Sequence, residues 1–134
     1  MPIAKLFALL TALVLSLELL RVPLVVRHMD IQFHGTYFVV AHFHALILEV
    51  LVGATFAFTY FAAARWFPNS LNSFLASTHF ALTAVAFVLI NLATTGFRGL
   101  ALRLGALSFL LACAAFVTNV GWTAIKLCRL NRDA

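Results

Sequence analysis

Two histidines, His42 and His44, stand two residues apart in the apolar stretch His34-Gly-Thr-Tyr-Phe-Val-Val-Ala-His42-Phe-His44. On an α-helix of 3.6 residues per turn, a two-residue step is a rotation of about 200°. The two positions therefore lie on nearly opposite faces. One metal ion cannot easily take both imidazoles, but two separate sites, one on each side of the helix, can take one each. Imidazole is a common axial ligand of haem iron. Ionisable side chains at membrane depth are costly and are functional candidates by default. The plainer alternative is that both rings hydrogen-bond across a helix interface.

Depth and charge fit a haem at this place. His42 lies about 9 Å below Thr36 at the helical rise. An edge-on haem there would bring its propionates toward Arg21, Arg27, His34, Arg98 and Arg103. A guanidinium fork suits such carboxylates, although headgroup-facing charge explains these arginines equally well. His79 enters the third apolar run from the opposite side and should come level with about Thr55. That is about 17 Å or more below the other two histidines. It is expected to be structural, and a sixth ligand from this protein would then come from another copy. Glu49 follows His42 by seven residues, hence on the same face, and is expected to be protonated, paired or part of a proton path. Glu18 and Arg21, three apart near a helix end, suit a surface pair.

The elements that position these residues are four long apolar runs, at about 4–26, 36–64, 71–95 and 104–127. Each exceeds the roughly 20 residues that cross a hydrocarbon core, where backbone groups must be satisfied within a helix. The expectation is an all-α protein of four transmembrane helices in one domain, residues 1–134. Composition agrees: hydrophobic residues make up 64% of the 134, and mean hydropathy is +1.06. A core of this size could not hide that excess.

Nine Lys and Arg stand against four Asp and Glu, and the basic residues sit between, beyond or near the ends of the apolar runs. They suit membrane lipid as the partner rather than nucleic acid. Pro23 should end or kink the first helix. Polar connections are expected at Arg27–Gly35, at Arg65–Ser70 around Trp66 and Pro68, and at Thr94–Arg103. The N-terminal run lacks a clear small-x-small cleavage site before Pro23 and is read as a retained helix rather than a leader. Cys113 and Cys128 form no metal-binding pattern. With four helices both termini share one side, which carries Lys5, Arg65, Lys126, Arg129 and Arg132; the other carries Arg21, Arg27, Arg98 and Arg103. That slight excess favours a cytoplasmic location for both termini.

The stretch from His34 to His44 resembles the catalytic subunit of haem-copper oxidases, the cytochrome c oxidase subunit I family, whose pattern is His-Asp-Thr-Tyr-aromatic-Val-Val-Ala-His-Phe-His. Arg65-Trp66-Phe67-Pro68 is similar to the Trp-Phe-Pro turn that follows in the family, and Thr78-His79-Phe80-Ala81 falls in its next helix. The segment Gly96-Phe97-Arg98-Gly99-Leu100-Ala101-Leu102-Arg103 resembles Gly-Leu-x-Gly-Met-Pro-Arg-Arg, whose arginines hold haem propionates. There Gly96, Gly99 and Arg103 match, the proline is absent, and Leu102 replaces the first arginine. Arg98 is a possible substitute without a direct counterpart. The resemblance covers nearly the whole chain and corresponds to the last four of the family's twelve helices.

By resemblance, His42 corresponds to the proximal ligand of the high-spin haem and His44 to one ligand of the low-spin haem. His34 corresponds to the residue near the propionates and the magnesium site; the neighbouring magnesium-site Asp is Gly35 here. The family's copper ligands, cross-linked tyrosine and second low-spin ligand lie on earlier helices. No copper is expected, and this chain alone is not a complete oxidase; other enzymatic activity is left open. The family fold is three four-helix arcs about a pseudo-threefold axis, and this chain resembles one arc.

The expected function is a haem protein, b-type favoured, that carries electrons within a homo-oligomer and exchanges them with a redox partner. A trimer is favoured over a dimer, with His42 of one copy facing His44 of the next. The alternatives are gas sensing if one ligand position is open, a subunit of a split oxidase, and a haem-free structural membrane protein.

Overall fold

The computed structural model describes residues 2–28, 33–68, 70–93, 98–130 and 132, with the side chains of these except residues 2, 18, 21–28, 33–46, 93, 98 and 130. Four helices follow one another: α1 (Pro2–His28), α2 (Phe33–Trp66), α3 (Ser73–Ala93) and α4 (Arg98–Leu130). No strand occurs among the described residues.

Three stretches are long and apolar enough to cross a membrane: Ile47–Trp66, Ser73–Leu92 and Gly99–Arg129. In α1 the described apolar stretch, Ile3–Leu17, is shorter. The packing is that of a membrane bundle. Large apolar side chains face outward, as Phe74 (76% exposed) and Leu20 (69%) do, whereas His79, Thr83 and Asn119 are fully buried. In water that distribution would be costly; in lipid the outward leucines cost nothing and the polar groups find partners inside.

Helix α1 packs chiefly on α2, and α3 on α4, with a lighter contact between α1 and α3. Small residues permit both close approaches. A Cβ at Gly53 would overlap the Thr11 hydroxyl of α1, which donates to the Phe7 carbonyl at 2.8 Å. A Cβ at Gly105 would come within 3.2 Å of Leu89 and Ile90 of α3. The core sits toward the end where α1 begins. There Ala4, Phe7, Phe56, Tyr60 and Ala76 pack together, with Phe80, Phe109 and Phe116 against them.

The short connection from α2 to α3 is pinned from α4. Asn72 caps α3, its Oδ1 accepting from the backbone N–H of Phe74 (3.0 Å) and Leu75 (3.2 Å). The fully buried Asn119 of α4 accepts from the Asn72 N–H at 2.9 Å and donates to the Asn72 carbonyl at 3.1 Å. One turn on, the Thr123 hydroxyl lies 3.3 Å from the Ser70 carbonyl.

The boundaries depart from the sequence pattern in three places. Helix α1 continues past Pro23 to His28; membrane helices tolerate an internal proline because neighbouring groups re-satisfy the freed carbonyl. Helix α2 already includes His34 and Gly35, and it extends through Trp66. Helix α4 starts at Arg98, so most of the expected 94–103 connection is helical. Nothing from Arg98 to Arg103 forbids a helix: Gly99 is its only poor helix former, and no proline follows.

Candidate functional site

Helix α2 is continuous from Phe33 to Trp66, so His34, His42 and His44 belong to one helix. The register puts His42 and His44 about 200° apart around it. The side chains of His34, His42, His44 and Arg98 lie outside the described residues, as do those of Arg21 and Arg27. Arg103 is described and exposed, in the second turn of α4.

Ring contacts fix how α2 and α4 stand against each other. Phe116 of α4 meets Phe56 at 5.1 Å and Tyr60 at 6.0 Å between centroids. The two helices run in the same direction, both starting at the end opposite the 67–72 turn. From Phe116 back to Arg103 is 13 residues, about 20 Å of helix. From Tyr60 back to His44 is 16 residues, about 24 Å, and from Phe56 it is 12, about 18 Å. Arg103 thus stands at about the depth of the His42–His44 turn, and Arg98, about 7 Å farther along α4, lies toward the His34 end.

Below the histidines lies a buried carboxyl. Glu49 follows His42 by two turns, about 10.5 Å along the axis, and is 6% exposed. The Asn91 amide of α3 donates toward it, its Nδ2 lying 3.2 and 3.1 Å from the two carboxyl oxygens and 2.9 Å from the Phe87 carbonyl. This contact joins α2 to α3 in the half of the bundle that holds the histidines.

His79 lies in the other half. Its Nδ1 is 3.0 Å from the Tyr60 hydroxyl, and its ring is walled by Phe56 at 4.3 Å, Phe7 at 4.9 Å and Phe116 at 5.1 Å. All four helices thus meet around one fully buried imidazole. Counting from Phe56 and Tyr60, it lies about 21 to 27 Å below His42. That is beyond the reach of a side chain, so His79 and His42 of one copy cannot share an iron.

No group of three or more His, Cys, Asp or Glu able to hold a metal ion occurs among the described residues. Asn91, Asn119 and Tyr60 are polar anchors that sequence reasoning did not single out. The available signal was their presence inside apolar runs, where an unpaired polar group is expensive.

The family described as "Cytochrome C and Quinol oxidase polypeptide I" matches residues 4–127. No solved structure matches the chain.

Proposed function

This chain belongs to the cytochrome c and quinol oxidase polypeptide I family, and on that premise we propose that it is a membrane haem protein that carries electrons. The observation that carries the reading is the pair His42 and His44 at opposed positions of one continuous helix, within the segment that resembles the family's ligand-bearing motif. The donor set suits haem: two imidazoles two residues apart serve iron on two different flanks of α2, and not one shared ion.

In this reading His42 and His44 hold iron, while Arg98, Arg103 and His34 bind the propionates. The depth of Arg103, near the His42–His44 turn, supports such a role. A haem with two axial imidazoles supplies one-electron transfer without an open position for oxygen. The chain has no Cys-x-x-Cys-His for covalent c-type attachment, and among the haems held without it we favour the b-type. His79 is too deep to complete the ligand set; if the second imidazole belongs to this protein, it comes most simply from another copy. A cyclic assembly repeats the same two faces at each junction; a trimer is favoured, and a dimer is the alternative. A redox partner would take or supply the electron.

Helix α1 forms the fourth span in this proposal. Its 27 residues reach about 40 Å, more than a hydrocarbon core of about 30 Å requires. Both termini then share one side, assigned to the cytoplasm.

The experiment is an optical spectrum of the detergent-purified full chain, oxidised and reduced, with a mass measurement of the same particle. Low-spin six-coordinate bands from an oligomer are expected. A five-coordinate spectrum that shifts with carbon monoxide indicates gas binding instead. Co-purification with copper and a larger subunit indicates a split oxidase, and colourless protein a haem-free role. A monomer with bound low-spin haem overturns the shared-ligand proposal.

A further inference from the structure

The end of the bundle opposite His34 carries positive charge that haem binding does not use. Helix α1 starts there, and α2 and α4 finish there. Lys5, Arg65, Lys126, Arg129 and Arg132 are all exposed. Trp66 and Trp122, the two tryptophans of the chain, are 68% and 59% exposed.

These residues are layered. The Tyr60 and Phe116 rings touch at 6.0 Å, and α2 and α4 run in the same direction from that contact. Trp66 is six residues past Tyr60 and Trp122 six past Phe116, so both indoles stand about 9 Å farther out. Indoles favour the headgroup level, which marks the membrane boundary here. Arg65 adjoins that level on α2. Trp122, Lys126 and Arg129 are spaced i, i+4 and i+7, hence along one face of α4. Lys126 stands about 6 Å and Arg129 about 10 Å beyond Trp122. The acidic residues Glu18 and Glu49 are 13 residues from Lys5 and 16 from Arg65, about 20 and 24 Å along their helices. Asp133, outside the described residues, is the acidic side chain that the sequence places near this end.

We propose that this end is a docking surface for anionic phospholipid headgroups. Trp66 and Trp122 set its depth, and Arg65, Lys126 and Arg129 bind the phosphate. Five basic side chains against one acidic side chain supply the charge complementarity, and a guanidinium fork pairs with two phosphate oxygens at once. Long cationic side chains just outside an indole layer can snorkel to the headgroups while their stems stay in apolar surroundings.

Because both tryptophans lie at this end, tryptophan fluorescence, excited where tyrosine does not absorb, reports on it alone. The full chain is reconstituted in phosphatidylcholine vesicles containing either brominated phosphatidylglycerol or brominated phosphatidylcholine. Quenching by the anionic lipid should indicate roughly three- to tenfold tighter association, as expected for basic residues at an anionic surface. In Arg65→Gln/Lys126→Gln/Arg129→Gln the two lipids should quench alike, with quenching by brominated phosphatidylcholine unchanged. The single changes Arg65→Gln and Arg129→Gln should each lower the preference and serve if the triple variant is not recovered. Equal quenching by both lipids in the wild type, or a preference that these variants keep in full, overturns the proposal.

Discussion

Tyr60 and His79 meet at 3.0 Å, hydroxyl oxygen to Nδ1, at the point where all four helices converge. Among the described residues His79 Nε2 has no hydrogen-bond partner, so this contact is the ring's single polar anchor there. Tyr60→Phe is expected to cost about 1–3 kcal/mol, because it leaves a buried polar atom unmatched. Tyr60→Phe/His79→Phe should cost less than the two single changes added together. Thermal unfolding in detergent, followed by circular dichroism, checks this, and strict additivity would count against the coupling.

The approach of α1 to α2 depends on Gly53, whose missing Cβ leaves room for the Thr11 hydroxyl. Gly53→Ala should destabilise the bundle by about 1–3 kcal/mol, as overpacking does in well-packed cores. Thr11→Ala should relieve most of that cost in the double variant, since it removes the overlapping oxygen. A double variant no more stable than Gly53→Ala alone would show that the strain lies elsewhere.

Asn119 and Asn72 form a paired device, one capping α3 and the other holding the cap. Asn72→Ala removes two side-chain acceptor contacts at the helix start and should cost about 1 kcal/mol. Asn119→Leu strips both partners from the Asn72 backbone and should cost about 1–3 kcal/mol. Limited proteolysis after Arg65 gives an independent readout: Asn119→Leu should speed cleavage at this bond, in the last turn of α2 beside the 67–72 connection. Unchanged protection would argue against the clamp.

The four apolar runs made the four helices legible, because in lipid an apolar run has no other way to satisfy its backbone. Length, however, says little about ends. The stretch from Arg98 to Arg103 looked like a connection because of its charges and Gly99, yet charges do not break a helix, and no proline interrupts it. Pro23 was expected to end or kink the first helix; it does not end it, and lies inside α1. The depth of His79 followed from counting turns: level with about Thr55 by sequence, beside Phe56 and Tyr60 in the fold. The pairings of Glu49 with Asn91, Tyr60 with His79 and Asn72 with Asn119 were not legible. Each joins residues 19 or more apart in the chain, and sequence spacing carries no information on which polar groups meet.

The Asn91 amide reaches both oxygens of a buried carboxyl. Asn91→Leu should therefore lower stability by about 1–3 kcal/mol, whereas Glu49→Leu/Asn91→Leu should regain part of the loss, since removing both partners leaves less unmatched polarity. Unfolding by titration with a denaturing detergent separates the two. A double variant weaker than both single changes would contradict the pairing.

The most direct test of the account is haem content per chain in purified wild type, His42→Ala and His44→Ala, with the reduced spectrum of each. If His42 and His44 of different copies share one iron, either substitution should abolish the low-spin spectrum and lower haem retention. Full haem content with an unchanged low-spin spectrum in both variants would contradict the account.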